Sequence, residues 1–158
     1  MRTIPIDTDN LGGLAHIYAI PSTNISVRRN ADGTASIIAM DTDQAYDIPV
    51  WDGNSFQFTE KAEWTDAGMA YEQNIAAFIP KIRPEANYMM AAMRAIGWIV
   101  IHQDANGNFL LSGSEDVPLR MEYESGSGSS SEQANGYSIR FQAIEPNPSA
   151  MLTSFNLS

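Results

Sequence analysis

The sequence predicts a mainly β protein with minor α content: an antiparallel β-sandwich or small barrel with one flanking helix over residues 84–96 and long loops or arms. Three observations lead there. First, three segments alternate apolar and polar residues. Phe56, Phe58, Ala62 and Trp64 oppose Gln57, Thr59, Lys61, Glu63 and Thr65; Val117, Leu119, Met121 and Tyr123 oppose Arg120, Glu122 and Glu124; Tyr137, Ile139, Phe141 and Ala143 oppose Ser138, Arg140 and Gln142. Period-two alternation gives strands with one buried and one wet face, hence an antiparallel sheet with a broad polar surface. Second, only one segment carries a clear helical period. Third, short Asn-, Asp- and Gly-containing turns separate the apolar runs.

Taken in order, residues 8–13 are polar and glycine-containing and read as an arm. Residues 14–20 read as a strand closed by Pro21. Residues 24–29 and 34–40 form a hairpin around Asn30-Ala31-Asp32-Gly33, where glycine supplies positive φ. An acidic, turn-rich stretch follows over 41–54, with a short strand at 46–49. The strongest hairpin joins 55–65 to 69–80 through Asp66-Ala67-Gly68. In the helix, Pro84 suits the first turn, Glu85 the positive end of the dipole, and Gly97 the end. Ala86, Met89, Met90, Met93 and Ile96 fall on one face, to be packed on a sheet or on another subunit. Residues 98–103 are almost continuously apolar and read as a central strand. A turn over 104–108 returns the chain through 109–112. Residues 125–133 read as a flexible serine- and glycine-rich loop, and the tail over 146–158 as an extended apolar segment that docks on the body or on a neighbour.

The 158 residues suit a single domain, 1–158, and no run of about 18 apolar residues predicts a membrane span. No secretory leader is expected, because the first residues lack a long apolar stretch. Cysteine is absent, which suits a reducing compartment and excludes thiolate chemistry. Nine Lys and Arg stand against 19 Asp and Glu, for a net charge of −10, so a general basic surface for nucleic acid is excluded. Asp41, Asp43, Asp47, Asp52, Glu60, Glu63 and Asp66 crowd one stretch, offset locally by Lys61 alone.

Catalytic signatures are sparse. His16 and His102 each lie in an expected strand and read as satisfied structural histidines. Asp104-x-Asn106 resembles the start of a calcium loop, but Phe109 occupies the position that needs glycine, so a hairpin turn is expected. Asp7-Thr8-Asp9 and Asp41-Thr42-Asp43 have spacing for a shared cation but read as solvated loops. No catalytic, cofactor-binding or metal residue is assigned.

Several stretches together resemble small virion structural proteins from phages and prophages of Bacteroides-like bacteria. They are Gly12-Gly13-Leu14-Ala15-His16-Ile17-Tyr18-Ala19-Ile20-Pro21, Gly97-Trp98-Ile99-Val100-Ile101-His102-Gln103-Asp104-Ala105-Asn106-Gly107, Val117-Pro118-Leu119-Arg120 and Asn135-Gly136-Tyr137-Ser138-Ile139-Arg140-Phe141. The resemblance implies a non-enzymatic phage tail component of the tail-tube type. Copies would form rings, as hexamers in the tube reading, that stack into a conduit through which DNA passes without specific binding. It also implies other tail proteins as partners, no cofactor, no membrane association, and a place in the virion tail after assembly in the bacterial cytoplasm. Tail terminator, connector and baseplate parts are alternative roles. On this reading Asp41, Asp43, Asp47, Asp52, Glu60 and Glu63 are candidates for a lumen or assembly surface. Two expectations of other classes stand beside it: a ligand- or carbohydrate-binding β-sandwich with Trp51, Trp64 and Tyr71 as an aromatic platform, and a small hydrolase using the acids between Asp41 and Asp66.

Overall fold

A computed structural model of the protein describes residues 12–50, 56–128 and 135–155. The strands are β1 (Leu14–Pro21), β2 (Ile25–Arg29), β3 (Thr34–Met40), β4 (Tyr46–Pro49), β5 (Gln57–Thr65), β6 (Gly68–Pro80), β7 (Gly97–Asp104), β8 (Phe109–Ser112), β9 (Leu119–Gly126), β10 (Gly136–Glu145) and β11 (Ala150–Leu152). Helix α1 (Pro84–Arg94) lies between β6 and β7, and a single 3-10 turn covers Ser22–Asn24. The expected mainly-β plan with one flanking helix holds. All 11 strands belong to one open sheet in the order β2-β3-β11-β8-β7-β9-β10-β6-β5, with β1 bridging β7 and β4. Every pairing is antiparallel except that of β11 with β3.

Strand β7 explains its own apolar run. It pairs with β1 along one edge, and with β8 and the start of β9 along the other. It is also buried on both faces. Trp98 and Val100 enter a large core with Ile17, Ile75, Met90, Leu119 and Phe141, whereas Ile99 and Ile101 enter a smaller core with Ile20, Ile25 and Leu111. The sheet wraps over the large core so far that Phe58 of β5 meets His102 of β7, their ring centroids 4.4 Å apart.

Helix α1 covers the large core with Ala86, Met90 and Met93. Two side chains fasten it: Trp98 donates its indole N–H to the Met93 carbonyl at 2.8 Å, and the Tyr137 hydroxyl donates to Asn87 Oδ1. The helix ends at Arg94, earlier than expected, and Ile96 is exposed rather than packed. Gly97 does not end it through a left-handed cap. It is glycine because the Cβ and Cγ of Pro118 lie 2.6 Å from where its own Cβ would stand.

The tail makes a strand that sequence patterning does not announce. β11 inserts between β8 and β3, and Phe155 packs on Tyr18 and Phe109, each at 5.3 Å. Docking on the body therefore occurs within one chain. Val117, expected in a strand, lies in the loop before β9, where its N–H bonds Ser114 Oγ at 3.0 Å. The expected loop over 125–133 begins later, because Ser125 and Gly126 still pair with Tyr137 and Gly136; residues 129–133 lie outside the described residues. The Asp7-Thr8-Asp9 stretch also lies outside them.

Candidate assembly surface

The longest hairpin builds the most exposed feature of the molecule. β5 and β6 pair from Gln57–Ala76 to Thr65–Gly68, and Gly68 takes φ +113 just after the Asp66-Ala67 turn. Near the body the hairpin's inner face carries Phe58, Gln73 and Ile75, which pack inward. Farther out the same face carries Ala62 opposite Tyr71 and Trp64 opposite Met69. Trp64 is 81% exposed. Alternation correctly assigns its side of the strand, but the hairpin has run past the layer that would cover it. Burial of Trp64, expected from the sequence, is therefore corrected.

Among the described residues β5 pairs with β6 alone, and nearly all of its residues are exposed. It ends the sheet on one side as β2 does on the other. The β2 edge is blunted, since Glu115 Oε1 accepts the N–H of Val27 at 3.3 Å. A long open edge is a template for pairing with another chain.

The polar face of β5, β6, β10 and β9 runs in rows across the strands. Gln57, Ala76, Arg140 and Glu122 form one row; Thr59, Asn74, Gln142 and Arg120 form the next; Lys61, Glu72 and Ile144 form a third. Glu122 accepts bonds from Arg140 at 3.5 Å and Gln142 at 3.4 Å. Lys61, Arg120 and Arg140 are set among Glu63, Glu72, Glu122 and Glu124, so this face is close to neutral despite the acidic chain.

The described acids singled out in the sequence sit on the β3–β4 loop, on β4 and on β5. Asp41 and Asp43 sit in the β3–β4 loop, where Asp41 Oδ1 accepts the Asp43 N–H at 2.9 Å. Asp47 lies on β4 opposite Tyr18; burial first, then the Asp47 charge, holds the Tyr18 hydroxyl above its ordinary pKa of 10.0. Glu63 pairs with Lys61 on β5. Asp52 and Trp51 lie outside the described residues. Glu60 is exposed but ties the tail to β6, since its Oε2 accepts the Ser149 N–H at 2.8 Å and Gln73 Nε2 at 3.2 Å.

Glu60 thereby joins a polar hub beneath the tail. Buried Gln73 also donates to the Asn147 carbonyl at 3.2 Å and accepts the Gly113 N–H at 3.0 Å. Arg29 donates to the Pro148 and Gly113 carbonyls, at 2.8 and 3.0 Å. Glu145 is buried beside Ser114, which donates to its Oε2 at 3.2 Å; burial raises its pKa against that bond and the Arg29 charge. Removing this shared acceptor frees the Ser149 N–H and leaves Gln73 Nε2 with the Asn147 carbonyl alone. Glu60→Ala is therefore expected to cost about 0.5–1.5 kcal/mol, measured by urea unfolding, and to speed proteolysis of the 146–155 segment. Glu60→Gln, which keeps a carbonyl acceptor, should recover most of both.

The two histidines differ. His16 is exposed and stacks on Tyr18 at 5.8 Å. His102 is fully buried, and neither ring nitrogen has a hydrogen-bond partner. It is buried but not satisfied, a correction that sequence alone had no signal to give. Burial lowers its pKa from 6.5 to about 4, against the opposing charge of Asp104. Asp104 itself closes the β7–β8 turn: its Oδ1 accepts the N–H groups of Asn106 and Asn108, both at 2.9 Å. Among the described residues no three His, Asp or Glu side chains are grouped as metal ligands. No helix among them is long and apolar enough to cross a membrane. Comparison with protein-family models, with curated proteins and with solved structures finds no match.

Proposed function

We propose that this chain is a non-enzymatic, self-assembling component of a phage tail, of the tail-tube type, whose copies close into rings, most simply hexamers, that stack into a DNA conduit. The observation that carries the reading is the open sheet: nine residues of β5 end it, with one edge unpaired among the described residues. Ring closure would pair such an edge and remove an aggregation liability. The polar face of β5, β6, β10 and β9 supports the same reading. Its near balance of charge suits a wall that does not hold a phosphate backbone, and the net charge of −10 disfavours DNA binding elsewhere. A terminator, connector or baseplate part would use the same edges with a different partner.

The test is mass by light scattering across a concentration series. Growth from monomer to a defined ring mass, and then to larger stacks, is expected; a monomer throughout contradicts self-assembly.

One observation favours a second reading, a carbohydrate-binding module. Trp64 is exposed, and Tyr71 and Met69 share its face. A change in tryptophan emission on titrating oligosaccharides into the monomer would move this reading ahead. The assembly reading ranks higher because the hairpin presents its aromatics on a narrow projecting arm rather than in a concave site.

A further inference from the structure

Trp64 exposes a whole indole at the hairpin tip, and the same chain carries an apolar groove at the far end of β6. An apolar groove of about 280 Å³ opens between the outer edge of β4, the end of β6 and helix α1. Tyr46, Ile48, Ile79, Pro80, Met89 and Met93 line it. Its volume falls just short of the roughly 300–1,000 Å³ of small-molecule pockets, and suits one large aromatic side chain. Methionines make it adaptable and favour contact with an aromatic ring.

We propose that Trp64 at the hairpin tip of one copy docks in this groove of a second copy. The inference deepens the self-assembly reading and rests on it. Strand geometry excludes docking within one chain. Met69, opposite Trp64, and Ile79, in the groove, are 10 residues apart on the same continuous strand β6. At about 3.3 Å per residue they stand roughly 33 Å apart. Knob and hole thus sit at opposite ends of one rigid strand.

Charge is arranged to match. The tip carries Asp66 at its turn, with Glu63 and Glu72 beside it against Lys61. The β6 end of the groove carries Arg83, one of only nine cations in the chain. Asp47 lies on the opposite, β4 wall. Arg83 is held there by donating to the Pro80 carbonyl at 3.1 Å. The tip would therefore enter with its acids toward Arg83 and away from Asp47, which fixes one orientation.

Used reciprocally, each knob in the other copy's hole, the contact would close a two-fold dimer; used head-to-tail, each docked copy leaves a free knob at one end and a free hole at the other, and repetition gives the ring or stack that the assembly reading requires.

Absence of native cysteine makes the test direct. Ala67→Cys in the turn and Pro49→Cys on the groove wall are made separately, mixed in equal amounts, and treated with a short bis-maleimide. Mixed tip–groove dimers are expected to exceed tip–tip and groove–groove dimers. Adding Trp64→Ala to the tip variant should weaken association about 30-fold, the size of a ~2 kcal/mol hot spot. Adding Ile144→Ala, an exposed apolar change elsewhere on the sheet, should leave it unchanged. Equal yields of all three dimers, or a Trp64→Ala variant that cross-links normally, overturns the groove assignment; rings still formed by the unmodified protein would leave self-assembly standing. An unmodified protein that stays monomeric overturns both.

Discussion

Trp98→Ala is expected to destabilise the fold by about 3–5 kcal/mol, the range for deleting a large buried aromatic. Trp98 is 1% exposed at the point where β7 changes partners, pairing with Pro21 of β1 on one side and Leu119 of β9 on the other. Its ring meets Tyr46 and Phe141 edge-on at 5.7 and 6.3 Å, and its N–H holds the Met93 carbonyl. Truncation opens a cavity where strands from both sides of the large core meet, and it frees the end of α1. Because a domain of this kind has only about 5–15 kcal/mol of total stability, the loss is a large share. Urea unfolding measures it, and hydrogen exchange should show the amides of α1 losing protection first. Trp98→Phe, which keeps an aromatic ring, should lose less. A loss below about 1 kcal/mol for the alanine variant would mean that the core is not organised around this residue.

The second large effect is a pH dependence centred on His102. Its pKa is about 4 in the folded chain against 6.5 when unfolded. The folded state therefore binds fewer protons between these values. Stability is highest above 6.5, falls as pH drops from 6.5 toward 4, and levels below. The gap corresponds to about 3 kcal/mol. Burial outweighs the Asp104 charge, which favours the imidazolium. Glu145, with its pKa raised by burial, works in the opposite sense: its penalty is present at high pH and is relieved on acidification. The comparison is therefore unfolding free energy against pH for the native chain and for His102→Leu. The native chain should lose about 3 kcal/mol more between pH 7 and pH 4. Parallel curves would show that the imidazole is hydrated or partnered in solution.

The residues that made the fold readable are those whose pattern follows local geometry. Alternation located β9 and β10, and the continuous apolar run marked β7 as a strand buried on both faces. Turn chemistry placed Asn30 to Gly33, where Asp32 Oδ1 accepts the Thr34 N–H at 3.0 Å. Depth was not readable in the same way. Phe58 and Trp64 share one face of β5, yet one reaches His102 across the core and the other stands in solvent. Which of them is covered depends on where the sheet wraps, a property of strands far apart in sequence. β11 escaped notice because three residues between a proline-rich bend and the end of the tail carry no period. The acids of residues 41–63 illustrate the site itself. Their crowding in sequence suggested one surface; those described sit on the β3–β4 loop, on β4 and on β5, and Glu60 holds the tail. The groove beside β4 had no sequence signature at all, since its walls come from β4, β6 and α1.

Self-assembly underlies both the proposed role and the knob-and-groove contact, and negative-stain electron microscopy of the purified protein across a concentration series decides it. Rings with a central channel, lengthening into stacks as concentration rises, are expected. Isolated particles of monomer size at every concentration would contradict self-assembly.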